Sequence, residues 1–199
     1  MHKENLKNEI YRKLIHLSSM WVPILLLTQG RQVTLTITFI LLIFMAIFEG
    51  FRQKSKIINK IVTKFSLVFR KSELDGSITG ASYFLLGCFL VTLFSPSFIA
   101  FIAMLILIIS DSLAAIIGKK WGKIKFNNKT LEGSGAFLIS AIVISVLGNI
   151  FLNQSLFGIA NIIISCFAAT FFELYAKNIK IDDNLLIPLS FASFMQILS

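Results

Sequence analysis

Residues 97–122 read SFIAFIAMLILIISDSLAAIIGKKWG, and this stretch decides the fold. From Phe98 to Ile109 there is no polar side chain, and up to Ile117 the only charge is Asp111. A helix of about 20 apolar residues crosses a hydrocarbon core about 30 Å thick. Read this way, residues 97–117 form one membrane span, with an acid near one end and the basic Lys119-Lys120 pair just beyond it.

Working outward, similar charge-free runs appear at roughly 14–29, 33–51, 78–95, 132–152, 156–175 and 184–199. The chain is 56% hydrophobic, against about 45–50% for a soluble domain. A soluble core of this size has no room to hide so many uninterrupted runs. The expectation is an all-α polytopic membrane protein, a single integral membrane domain over 1–199 with about seven transmembrane helices. The third and seventh spans are short, so six or eight remain open. Ser95-Pro96-Ser97 is a natural break between the third and fourth spans.

The charges give an orientation. Of the 19 basic residues, only Arg31 falls on one side; the others lie in the N-terminal segment and in the connections after spans two, four and six. Lys and Arg collect in cytoplasmic loops, so the N-terminus and charged loops are expected inside a plasma or inner membrane and the C-terminus outside. The same topology explains the net charge of +9 without invoking nucleic acid. All 10 acids map to the cytoplasmic side as well, which the rule does not require and which points to chemistry on that face.

Residues 54–70 place Ile57, Ile58, Ile61, Val62, Phe65 and Phe69 at helical spacing with Lys56, Lys60 and Lys64 between them. This is the pattern of an interfacial amphipathic helix, the plainer alternative being a basic linker. Cys88 and Cys166 sit inside apolar runs and read as small core residues, not as a disulfide or a metal pair. The charged start lacks a small-residue cleavage site and does not read as a removed signal peptide.

Ionisable groups at membrane depth are costly and point to function. Glu9, Arg12, Lys13 and His16 share one helix face entering the first span; the bland alternative is a snorkelling collar with a satisfied histidine. Gly80 to Gly87, with Tyr83 within it, allows close helix contact. Asp111 precedes Gly118 and Gly122 by two and three turns, where a carboxylate can bind a hard cation and glycine lets backbone approach phosphate. Lys129-Thr-Leu-Glu132-Gly133-Ser-Gly135 lies where a basic loop turns into a span, and a helix N-terminus with a lysine suits an anion. The plainer alternative is that Thr130 is simply an N-cap. Glu173 and Asp182-Asp183-Asn184, followed by Pro188, could hold a divalent metal or form a solvated turn. Glu49 closes the second span and could join the site or cap its helix. No Ser-His-Asp order, Walker loop or zinc spacing occurs.

In this order the motifs resemble those of the CTP-dependent lipid-alcohol kinases, which include dolichol kinase, phytol kinase and CTP-using diacylglycerol kinases and are related to phosphatidate cytidylyltransferase. The resemblance covers most of the chain. It implies a membrane kinase that moves the γ-phosphate of a nucleoside triphosphate, CTP by family habit, to a lipid hydroxyl with Mg²⁺ or another divalent cation. It implies partners that are a membrane lipid alcohol and a nucleotide. Asp111, Lys129, Glu132 and Asp183 would then lie at the nucleotide–metal site, with Asp111, Asp183 and Glu173 as metal ligands. Lys129, Arg12, Lys13 and the backbone at Gly118, Gly122 and Gly133 would hold phosphate, with Asn184 and Tyr83 nearby. Glu132 or His16 would take the alcohol proton; the sequence does not separate them. The competing expectations are a cytidylyltransferase acting on phosphatidate and, from another class, a small transporter.

Overall fold

The structure is a computed structural model that describes residues 2–54, 73, 77–127, 129–152 and 158–198, with side chains from Asn8 onward. Its helices are α1 (His2–Ser18), α2 (Trp21–Lys54), α3 (Gly80–Phe94), α4 (Ser97–Leu105), α5 (Asp111–Trp121), α6 (Leu131–Phe151), α7 (Ile159–Ile179) and α8 (Asp183–Ile197). A single π-helical turn, Ile106–Ser110, joins α4 to α5. The fold is helical as expected, apart from a small antiparallel hairpin, β1 (Lys125–Phe126) with β2 (Lys129–Thr130), before α6.

The stretch that opened the reading forms the centre. Ala100, Ala103, Met104, Ile106, Leu107 and Ile108 are wholly inaccessible. A helix apolar on every side must be surrounded, and here α2, α6 and α8 pack round the α4–α5 rod. The outer helices instead show apolar faces to their surroundings. On α6 these are Ile139, Val143, Leu147 and Ile150; on α7, Ile164, Phe167 and Phe171. Such bands are too large for a water-facing surface and mark a membrane protein.

Four described segments, Asn8–Lys54, Ser97–Trp121, Leu131–Phe151 and Ile159–Ile179, are long and apolar enough to cross a membrane, rather than seven. The difference has two physical causes. α3 and α8 have only 15 residues each, about 22 Å of helix against a core of about 30 Å. The first two expected spans also run on as one segment. Within it, Gly30 has φ +80 and ψ 179 and breaks the helical path. That backbone geometry, not crowding, is why a glycine stands there, since a Cβ would meet nothing within 4 Å. The interfacial helix expected at 54–70 lies outside the described residues, apart from Lys54 at the end of α2.

Polar contacts tie the bundle at two ends. At one, Arg31 donates to the carbonyls of Leu93 and Ser95. Gln196 reaches Ser95 Oγ at 2.8 Å, and Asn161 reaches the Leu198 carbonyl at 2.7 Å. At the other end lie His16, Asp111, Lys129, Glu173 and Asp183. Both cysteines are free and fully buried, as the core reading expects.

Glu49 turns out to have partners that the sequence did not name. It receives two hydrogen bonds from Arg52, at 2.9 and 2.6 Å, and the Thr79 amide at 2.8 Å. It therefore caps the start of α3 rather than its own helix. Arg52 is 1% exposed and also donates to the Glu73 and Ser77 carbonyls at 2.5 and 2.6 Å. Lysine cannot reproduce that planar fork. Arg52→Lys is expected to lower unfolding free energy by about 2 kcal/mol, read by denaturant titration in detergent; an unchanged midpoint would show that the fork is dispensable.

Candidate active site

α1 lies against α5, so the face carrying Glu9, Arg12, Lys13 and His16 meets Asp111. It is not a snorkelling collar. Lys13 is buried and ion-paired to Asp111, and Glu9 is buried between Arg12 and Lys119. The π turn places this contact, because π turns re-aim the side chains and carbonyls around them. His16 Nε2 lies 3.1 Å from the Leu107 carbonyl and 3.9 Å from Asp111 Oδ2. A carbonyl only accepts, so Nε2 carries the proton and Nδ1 keeps its lone pair. Phe84 of α3 sets its ring edge against the imidazole, with centroids 5.4 Å apart.

A second cluster joins the hairpin to α6, α7 and α8. Lys129 Nζ lies 2.5 Å from Glu173 Oε1 and 3.2 Å from Asp183 Oδ2. Ser134 Oγ lies 3.3 Å from Glu173 Oε2. Burial alone would lower the Lys129 pKa, but Asp183, Glu173 and Asp111 outweigh it and hold it above the ordinary lysine value. Thr130 Oγ1 accepts the Gly133 amide at 3.2 Å and is the N-cap of α6.

The two clusters face a common cleft of about 200 Å³, bounded by Glu9, Arg12, Lys13, Lys119, Asp111, Glu173, Asp183 and Lys129. Gly118 and Gly133 form its close-packed floor. A Cβ on Gly133 would come within 2.8 Å of the Ala114 carbonyl, and one on Gly118 within 2.7 Å of Thr130 Oγ1. A second cleft, of about 330 Å³, lies on the other side of Arg12 and Lys13, which line both. It has His16, Glu73 and Asn184 among apolar walls.

The structure thus brings together Asp111, Lys129, Glu173, Asp183, Arg12, Lys13, Gly118 and Gly133 at one cleft, with His16 and Asn184 at its neighbour. Three expected residues stand apart from both. Glu132 accepts the Lys123 amide at 2.9 Å and the Ile124 amide at 3.2 Å, and so holds the turn before the hairpin. Gly122 packs beneath Thr130, where a Cβ would lie 2.6 Å from Cγ2. Tyr83 sits outside the lining of either cleft. The sequence reading quoted Ser134 and Lys119 within its motifs but gave neither a role, and it did not single out Glu73. Lys119 looked like one more loop charge, and Glu73 follows a connection whose course the sequence does not reveal. Asp111, Glu173 and Asp183 supply hard oxygen donors. Among the described residues, however, no three His, Cys, Asp or Glu side chains are placed as a metal cage; Lys13 is ion-paired to Asp111, and the Lys129 ammonium group contacts both Glu173 and Asp183.

A helical membrane protein with paired lysines and carboxylates at the mouth of its bundle fits a phosphate-handling membrane enzyme. An uncharacterized protein of Rickettsia prowazekii is 37% identical over 96% of this chain and 95% of its own length, and the chain belongs to that protein's family. CTP-dependent diacylglycerol kinase 1 of Schizosaccharomyces pombe is 28% identical over 96% of the chain and 94% of its own length. Dolichol kinase of Saccharomyces cerevisiae is 33% identical over 40% of the chain and 16% of its own length. These distant homologues support a lipid kinase. No family model matches the chain, and no solved structure does.

Proposed function

We propose that this protein is a membrane kinase that transfers the γ-phosphate of a nucleoside triphosphate, CTP, to the hydroxyl of a membrane lipid alcohol. One observation carries the reading: Lys129, Lys13 and Arg12 converge with Asp111, Glu173 and Asp183 on a single cleft, at the bundle end where the basic loops collect. Phosphoryl transfer needs positioning and charge neutralisation more than covalent help, and this cleft supplies both. Topology follows the charges, with this face cytoplasmic, where nucleotide is found.

Lys129 and the α6 N-terminus bind phosphate oxygens, and Arg12 and Lys13 border them on the acceptor side. Asp111, Asp183 and Glu173 fit Mg²⁺ in donor chemistry and would hold it once phosphate draws the two lysines away. A bound Mg²⁺ supplies charge neutralisation on the phosphate oxygens. His16 takes the alcohol proton on Nδ1, because the Leu107 carbonyl fixes the other nitrogen as the donor. Glu132 is occupied with the Lys123 and Ile124 amides.

Two substitutions separate these bases. Glu132→Gln keeps a carbonyl to accept the loop amides and is expected to retain kcat within about threefold, whereas His16→Gln should lose about 100-fold. The reverse order would move the base to Glu132. The reaction itself is tested with purified protein in lipid, CTP labelled at the α- or γ-phosphate, and a panel of polyprenols, phytol-like alcohols and diacylglycerol. Lipid carrying the γ-label supports the kinase. Lipid carrying the α-label from phosphatidate, with pyrophosphate released, would replace it with a cytidylyltransferase.

A further inference from the structure

We propose that the segment from Lys120 to Leu131, which holds the β1–β2 hairpin, is an interfacial anchor that binds the anionic head groups of the surrounding lipid; this surface does not depend on the kinase reading. Ring contacts place it at the membrane surface. Phe126 meets Tyr175 edge to face, with centroids 6.0 Å apart, and Tyr175 stacks on Phe171 at 4.5 Å. Phe171 belongs to the exposed apolar stripe of α7, and Tyr175 follows it by four residues, so it continues that stripe into the last turns of the helix. The hairpin is therefore seated on the lipid-facing side of the bundle, at a level where tyrosine suits the boundary between tails and water. Around it Trp121 is 56% exposed, Ile124 59% and Leu131 45%. The Leu131 amide donates to the Ile124 carbonyl at 3.0 Å, which brings these two apolar residues side by side.

Charge says which lipid. Residues 119–131 carry five lysines and no acid. Lys120, Lys123 and Lys125 are exposed, and Lys120 Nζ lies 4.3 Å from the centre of the Trp121 ring, an ammonium group drawn over an aromatic face. Glu132, the next acid along the chain, is turned to the Lys123 and Ile124 amides. Apolar side chains with lysines between them are the pattern of a segment that lies in the head-group layer. On the topology proposed above this is the cytoplasmic leaflet, whose anionic lipids attract basic segments beside a span. The apolar residues separate lipid from a dissolved anion. Phosphate in solution meets the ammonium groups but leaves Ile124 and Leu131 in water, whereas a bilayer takes both. The anchor also reaches the cleft. Phe126 is strand-paired with Lys129, and directly opposite residues of an antiparallel pair share one face of the ladder. Seating Phe126 at the interface thus steadies the strand that presents Lys129.

The reporter is Trp121, which Trp21→Phe makes the sole tryptophan. The full chain is reconstituted in phosphatidylcholine vesicles containing either no phosphatidylglycerol or about 30% of it. Lipids brominated high on the acyl chain are expected to quench Trp121 at least about twofold more than lipids brominated near the chain end. Phosphatidylglycerol should shift the emission to the blue and strengthen that quenching. Raising salt from about 0.1 to 1 M shortens the screening length from about 10 to 3 Å and should reverse the gain. Lys120→Gln, Lys123→Gln and Lys125→Gln together should abolish the response to lipid charge while the helical circular dichroism stays unchanged. Glycerol phosphate in solution should not mimic phosphatidylglycerol. Trp121 open to dissolved acrylamide and untouched by brominated lipid would overturn the anchor. So would a lipid-charge response that survives in the folded triple variant, or an equal shift with glycerol phosphate. None of these readings uses catalysis, so their failure leaves the proposed reaction standing, and absent γ-phosphate transfer leaves the anchor standing.

Discussion

Asp111→Asn is expected to give a folded, membrane-inserted protein whose lipid-kinase turnover is lower by about 10³-fold or more. Asparagine keeps the shape and one oxygen for the buried Lys13 ammonium, so the contact between α1 and α5 survives as a weaker hydrogen bond. What disappears is the one negative charge shared by both lysine clusters: Lys13 pairs with it directly, and Lys129 feels it through space. Without it the cleft is left with excess positive charge before nucleotide arrives. Nucleotide binding should hold or tighten while the chemical step fails, which is the signature of a group that acts in the transition state. Steady-state kinetics with labelled CTP measures the split. Turnover within about tenfold of wild type would remove Asp111 from the chemistry.

Lys129→Gln should act in the opposite sense and nearly as strongly. It deletes the cation that Glu173 and Asp183 both contact, leaving carboxylates that repel one another around a buried Ser134. Unfolding free energy in detergent should fall by about 2–4 kcal/mol, and kcat/KM for the nucleotide by about 10³-fold. The pH dependence has a definite sign. Because the folded-state pKa of Lys129 is raised, its contribution is complete below the ordinary lysine value of about 10.5 and fades only as pH climbs through the raised one. The stability gap between wild type and Lys129→Gln should therefore stay flat from about pH 7 to 9. Millimolar Mg²⁺ should restore part of the lost stability, because a cation that binds only the folded state adds to it. A variant insensitive to Mg²⁺ would argue against these carboxylates as the metal's ligands.

Much of this was legible in the sequence because membranes make patterns coarse. The run from Phe98 to Ile109 forms the core of the protein, and the break at Pro96 falls where the residues promised. Asp111, Lys129, Glu173 and Asp183 stood out since charge at such depth is costly. Three things did not show. The π turn before Asp111 leaves no mark in composition, so the His16 contact with the Leu107 carbonyl had no signal. Glu132 and Glu173 look alike in sequence, yet one closes a turn and the other meets Lys129; only the hairpin's path separates them. Glu49 was legible as a cap or a site residue, but its pairing with Arg52 was not, because the chain the pair ties down lies more than 20 residues away.

The polar ties at the far end bear on a different property of the cell. Between the clefts and the Arg31 clamp, Leu17 to Gly30, Ser77 to Ser110, Gly133 to Phe172 and Asn184 to Ser199 hold no Asp, Glu, Lys or Arg, and Ala100, Ala103 and Met104 of the α4 rod through the middle are wholly buried. The bundle is therefore expected to behave as an electrical insulator with one working face. Energised vesicles loaded with this protein should hold their proton gradient as long as empty ones, which sets it apart from a transporter and lets a cell carry many copies without leaking.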